Sequence, residues 1–170
     1  MNLHTAPADR RSAGITHTVI DSPVGELTVT AADGIVTGLY FPHHWGRPNP
    51  PLGTRDDDGF AELRRQLDEY FAGDRTDFDV PTMAAGDDFQ HAVWAEIARV
   101  PHGATTTYGE IAAVVEAQAR EVGAAVGANP LSILVGCHRV VGRDGKLTGY
   151  AGGLRRKRFL LDLEAEGQLW

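Results

Sequence analysis

From Ile15 to Phe41 apolar and polar side chains alternate, as in Leu27 and Val29 against Thr28 and Thr30. Pro23-Val24-Gly25 and Asp33-Gly34 interrupt the alternation with turn residues. The stretch therefore predicts two or three antiparallel strands with one buried face. Residues His43 to Asp58 are dense in proline and glycine and end in three aspartates, the composition of a connecting loop. Within it, His43 and His44 have no partner at ligand spacing, which favours a plain loop over a metal site. Phe60, Leu63, Leu67, Tyr70 and Phe71 then fall on one helical face, with Asp58 or Gly59 as the start and Gly73 as the stop. That helix should cover the sheet.

Asp79 to Met83 reads as a link to a second, mostly helical unit. There, Asp87 or Asp88 can cap a helix with Phe89, Val93, Ile97 and Val100 inward and Trp94 also in the core, ended by Pro101-His102-Gly103. A helix from Tyr108 to about Glu116 and a second from Ala119 to Ala128 follow in the order of a helix-turn-helix, with no glycine or proline between them. The apolar run Leu131 to Val135 predicts a short buried segment delivering Cys137. A last helix, Leu154 to about Glu166, is expected to turn Leu154, Phe159 and Leu161 inward. Its basic run, Arg155 to Arg158, reads as a solvated face or as a phosphate contact. The expected organisation is α+β: a mobile tail over 1–14, a small antiparallel-sheet unit over 15–83, and a helical unit over 84–170.

Composition narrows the setting. Of 170 residues, 42% are hydrophobic, enough for a normal core. No run approaches the roughly 18 apolar residues of a membrane span, and the first residues lack the apolar stretch of a secretory signal. A single cysteine excludes an internal disulfide and a zinc site of several thiolates, so a reducing cytoplasm is the expected location. The net charge of −7 opposes simple polyanion binding, yet it is uneven. Residues 1–100 hold 8 basic and 16 acidic side chains, and residues 101–170 hold 8 and 7. A surface facing nucleic acid would belong to the second half.

Most lone cysteines are inert core residues. Cys137, however, leaves an apolar run at Gly136 and precedes His138 and Arg139, so a base sits next to the thiol in sequence. The nucleophile is the thiolate, and a neighbouring imidazole linked to a carboxylate is a common means of generating it. A satisfied core histidine is the plainer alternative for His138.

The segment from Gly136 to Gly142 resembles the PCHRV signature of the O6-alkylguanine-DNA alkyltransferases, also called methylated-DNA–protein-cysteine methyltransferases. Phe89-Gln90-His91-Ala92-Val93-Trp94 is similar to the family's FQxxVW helix, and Thr107-Tyr108-Gly109-Glu110-Ile111-Ala112 to its (S/T)YGEIA. Arg120-Glu121-Val122-Gly123 through Asn129-Pro130 resembles its RAVG…NP helix, Gly149 to Leu154 its GYxGGL, and Leu160 to Glu164 its LLxxE. The resemblance implies an RNase H-like first domain and a winged-helix-like DNA-binding second one. It further implies direct-reversal repair of double-stranded DNA, in which Cys137 accepts the alkyl group once and irreversibly. His138, polarised by Glu164, would draw the thiol proton through a water. Tyr108 would donate to the leaving guanine, Asn129 would hold the cysteine turn, and the carbonyl of Val140 would read the base in a pocket with Tyr150 and Ala151. The damaged base must leave the stack, and Arg120 would fill the gap. The small residues Gly123, Ala124, Ala125 and Gly127 would let the helix approach a minor groove about 6 Å wide, with packing against a neighbouring helix as the bland alternative. No cofactor or metal is implied, because the cysteines that hold zinc in some relatives are missing. A monomer is expected, with cooperative binding along DNA left open.

Three positions depart from the family pattern. Gly136 stands where proline is usual, the stretch from Tyr108 to Arg120 is about two residues shorter and lacks turn residues, and Glu121 puts a negative charge beside Arg120. Two other functions compete. A non-catalytic lesion binder or helix-turn-helix regulator would dispense with the cysteine, and a cysteine hydrolase would need an oxyanion hole and would turn over repeatedly.

Overall fold

The alternating stretch forms β1 (Ile15–Ile20), β2 (Leu27–Ala32) and β3 (Ile35–Tyr40), paired antiparallel in a meander. Both turns use the left-handed backbone that their sequences favour, at Gly25 (φ 102°), and at Asp33 (φ 50°) and Gly34 (φ 83°). A computed structural model describes residues 14–43 and 52–166. Residues 1–13 of the expected tail, and residues 44–51 of the expected loop with His44 among them, lie outside the described residues.

One expectation is corrected within that loop. Thr54–Arg55 form β4, which pairs parallel with β1, so the sheet runs β3-β2-β1-β4 and is not purely antiparallel. Two residues between a proline-rich stretch and three aspartates carry no alternation to read. A single 3-10 turn at Asp58–Phe60 leads into α1 (Ala61–Phe71), which buries Leu63, Leu67 and Tyr70 against the sheet. Gly73 (φ 83°) ends it as expected.

The second half holds α2 (Asp88–Ala98), α3 (Tyr108–Val115), α4 (Ala119–Gly127) and α5 (Leu154–Glu166), with the two-residue strands β5 (Thr106–Thr107) and β6 (Val140–Val141) paired parallel. Asp87 caps α2 in a capping box with Gln90, and Thr107 caps α3 in one with Glu110. Val93, Trp94 and Ile97 of α2 meet Ile111 of α3 and Val122, Ala125 and Val126 of α4 in one core, where the Trp94 indole donates to the Ala125 carbonyl at 2.8 Å.

The missing turn residue between α3 and α4 has a physical substitute. Glu116 adopts the left-handed conformation (φ 56°, ψ 51°), and Ala117 N–H closes back on Ala112 O at 3.0 Å. An exposed glutamate thus takes the place usually given to glycine. Gln118 N–H then donates to the Glu121 carboxylate at 3.0 Å, so Glu121 serves the start of α4.

The terminal helix corrects a second expectation. Leu154 and Phe159 are exposed, 47% and 38%, whereas Lys157, Leu160 and Glu164 are buried. A face that carries a lysine and a glutamate inward cannot be found from hydrophobic spacing. Arg156 is also engaged, donating to Val24 O at 2.6 Å and Gly152 O at 3.1 Å, which leaves Arg155 and Arg158 as the exposed members of the basic run.

Candidate active site

The cysteine loop is fastened to the sheet. Leu39 of β3 donates its N–H to Pro130 O at 2.8 Å, and Leu131 and Ile133 insert into the core of the first half. Asn129, 2% exposed, grips the loop from both ends: its carbonyl oxygen accepts Leu131 N–H at 3.0 Å and its amide donates to Val135 O at 3.2 Å. Ile133 sits at φ 71°, an unusual backbone for a β-branched residue. Such strain costs about 1–3 kcal/mol, and burial of an isoleucine side chain returns a similar amount. The chain then closes a 3-10 turn over Cys137–Arg139 that presents the thiol.

Behind the thiol lies a buried charge cluster that is centred on Glu164. Its Oε2 accepts from His138 Nε2 at 2.8 Å, from the Tyr70 hydroxyl at 2.7 Å and from Arg139 Nη2 at 3.0 Å, and its Oε1 accepts from Arg139 Nε at 2.8 Å. Burial opposes the ionisation of Glu164, but the hydrogen bonds from His138 and Arg139 outweigh it and hold the carboxyl well below its usual range. An ionised carboxylate only accepts, so the His138 proton is assigned to Nε2 and the lone pair to Nδ1. That Nδ1 is buried with no hydrogen-bond partner among the described residues. Burial pushes the His138 pKa down, against the pull of Glu164, so the imidazole is a neutral base at neutral pH.

Cys137, 3% exposed, opens onto a cavity of about 370 Å³. Tyr108, Gly123, Gly127, Asn129, Tyr150 and Ala151 share its wall. Burial raises the thiol pKa, while Asn129, Lys157 and Tyr150 each favour the thiolate. Ser132 Oγ and the Tyr150 hydroxyl, both from residues of this wall, are also buried with no N or O hydrogen-bond partner among the described residues. Unpaired polar atoms are expensive to bury, so a cavity that gathers them fits a ligand with its own donors and acceptors.

Most of the predicted site residues converge here. Cys137, Tyr108, Asn129, Gly123, Gly127, Tyr150 and Ala151 line the cavity, and His138 and Glu164 form the pair behind it. Val140 is buried in β6, opposite Thr106, and its side chain is not in the cavity wall. Arg120 and Ala124 are exposed on α4, on the outer surface. Ala125 is the exception. It is 3% exposed and packs in the second core, because α4 turns Val122, Ala125 and Val126 inward, the arrangement of the plainer alternative of packing against a neighbouring helix.

Sequence reasoning missed three participants. Tyr70 was legible only as a core aromatic, and Arg139 only as a motif neighbour of the cysteine. Lys157 was read as part of the basic run, but it is fully buried, with Nζ donating to Thr148 O at 3.0 Å and lying 5.9 Å and 6.0 Å from the ring centres of Tyr108 and Tyr150. Burial pulls its pKa down to about 8. A β-carbon at Gly136 would lie 3.0 Å from Cδ and Nε of Arg139, whose side chain folds back over the glycine to reach Glu164, so the arginine would have to shift slightly to admit one.

Two family models cover almost all of this framework. Residues 15–84 match the ribonuclease-like domain of 6-O-methylguanine DNA methyltransferase, and residues 88–166 match its DNA-binding domain. The chain belongs to the 6-O-methylguanine DNA methyltransferase family. Within that family it is 45% identical over 152 residues to a methylated-DNA–protein-cysteine methyltransferase of Mycobacterium tuberculosis, covering 88% of this chain and 92% of the relative. One from Methanosarcina acetivorans is 40% identical over 154 residues, covering 87% and 97%. Among solved structures, the Mycobacterium tuberculosis methyltransferase in complex with DNA superposes with a TM-score of 0.83 at 44% identity, over 89% of this chain and 94% of that one. The fold is therefore that of the 6-O-methylguanine DNA methyltransferases, with a small sheet unit and a helical DNA-binding unit.

Proposed function

We propose that this protein repairs DNA by direct reversal, taking the alkyl group of O6-alkylguanine irreversibly onto Cys137. The observation that carries the reading is a lone buried cysteine that opens onto a largely apolar cavity with a few polar groups in its wall, with a neutral histidine and an ionised glutamate behind it.

The mechanism follows from these groups. The thiol proton passes through an intervening water to His138 Nδ1, and Glu164 stabilises the imidazolium that forms. The thiolate attacks the alkyl carbon as its bond to the guanine oxygen breaks, so the electron pair leaves with the base. Tyr108 donates to that base as charge develops. The product thioether has no leaving group that water can displace, so each molecule acts once. The base reaches the cavity by extrusion from the duplex, at a few kcal/mol for unstacking. Arg120 would take its place, with Gly123, Ala124 and Gly127 against the groove. Val140 O would contact the base edge beside Tyr150 and Ala151. The reading includes a division of the chain near residue 84, action as a monomer in the cytoplasm, no cofactor, and O4-alkylthymine as a secondary substrate.

The test is to incubate the protein with a duplex containing one O6-methylguanine and measure intact mass. Wild type should gain one methyl group and repair at most one lesion per molecule, and Cys137→Ala should gain none. Selective binding of the lesion duplex without mass gain would instead identify a lesion sensor.

A further inference from the structure

Glu164 is where the two halves of the chain meet chemically. Tyr70, on α1 and 94 residues before Glu164, donates its hydroxyl to Oε2 at 2.7 Å, the same oxygen that serves His138. The Tyr70 ring is 1% exposed and lies among Phe71, Phe78 and His102, with centroid distances of 5.2, 5.3 and 6.1 Å. A phenylalanine would fill the same space. The hydroxyl adds a third donor to an oxygen that already has two. A carboxylate oxygen shared among three donors gives less of its charge to each.

We propose that Tyr70 is a positioning residue for the alkyl transfer described above, through which the amino-terminal half limits how strongly Glu164 polarises His138. Tyr70 touches neither the thiol nor the base, so it acts only through Glu164. Burial and the neighbouring carboxylate keep its hydroxyl protonated, which makes it a permanent donor. The other charged or titratable groups around the pair are Arg139 on the 3-10 turn, Lys157 on α5, His102 beside the Tyr70 ring, and Cys137 and Tyr150 at the cavity. Among the described residues, Tyr70 supplies the phenol that hydrogen-bonds Glu164, whereas Tyr150 makes no such bond.

His138 itself supplies a readout that needs no substrate. In protein labelled with 15N-histidine, Tyr70→Phe should move the His138 Nε2–H proton resonance downfield. It should also raise the pH midpoint of His138 protonation by about half a unit, roughly threefold in proton affinity. With the O6-methylguanine duplex, the midpoint of the acid limb of the single-turnover rate should rise by the same amount, so that the rate at acid pH falls, with duplex affinity unchanged. An unaltered resonance and midpoint in Tyr70→Phe would overturn the proposal and leave Tyr70 as core filling. Should Tyr70→Phe fail to fold, 3-fluorotyrosine at position 70 keeps the shape and strengthens the donor. The His138 midpoint should then fall, and an unchanged midpoint overturns the proposal equally. If the histidine signals shift as expected but wild type transfers no methyl group, the coupling holds and the repair reading is the one that fails.

Discussion

Cys137 is stored as a thiol. Burial raises its pKa, and the groups that favour the thiolate do not cancel that effect. Burial and the polar neighbours Asn129, Lys157 and Tyr150 therefore act in opposite directions on the sulfur. This has a pH signature in the free protein. Below the folded pKa the thiol is protonated and slow, so alkylation by iodoacetamide should keep accelerating well above about pH 8.5, where an ordinary cysteine levels off. A rate that levelled off at or below that pH, followed by intact mass, would show that Cys137 rests as a thiolate. Asn129 works alongside by geometry, since its two hydrogen bonds fix the five residues that aim the sulfur.

At the level of elements, the junction of α3 and α4 is the least economical piece of backbone. A left-handed non-glycine residue costs about 1 kcal/mol, and Glu116 is exposed, with no buried side chain to offset it. Glu116→Gly should therefore raise the free energy of urea unfolding by about 0.5–1 kcal/mol, with alkyl transfer unchanged. A loss of stability would mean that the glutamate side chain contributes something its exposure hides. The same junction explains what the sequence could convey. Strands β1 to β3 were legible because alternation and turn residues agree, and α1 because its apolar side chains share one face. The α3–α4 turn was hidden because glutamate does the work of glycine. The inner face of α5 was hidden because Lys157 and Glu164 point inward. The pair His138 and Glu164 was visible through motif resemblance, whereas its link to Tyr70 spans 94 residues and leaves no local trace.

At the scale of the whole molecule, the two halves share interior. Leu131, Ile133 and Leu160 belong to the sheet-side core, and Tyr70 reaches the charge cluster of the other half. Burying a leucine or isoleucine contributes roughly 1.5–3 kcal/mol each, comparable in sum with the whole stability of a small domain. Fragments 1–84 and 85–170 should thus each lack a cooperative thermal transition when expressed alone, and regain one when mixed. Cooperative melting of the isolated second fragment, seen by circular dichroism, would contradict this. The packing of Trp94 has a consequence of another kind. Its buried indole is tied to a carbonyl of α4, the helix that carries Arg120. With the other two tryptophans, Trp45 and Trp170, replaced by phenylalanine, its emission becomes an optical gauge of the contact between α2 and that helix. The molecule then signals, without an attached dye, whether the helix moves when DNA arrives.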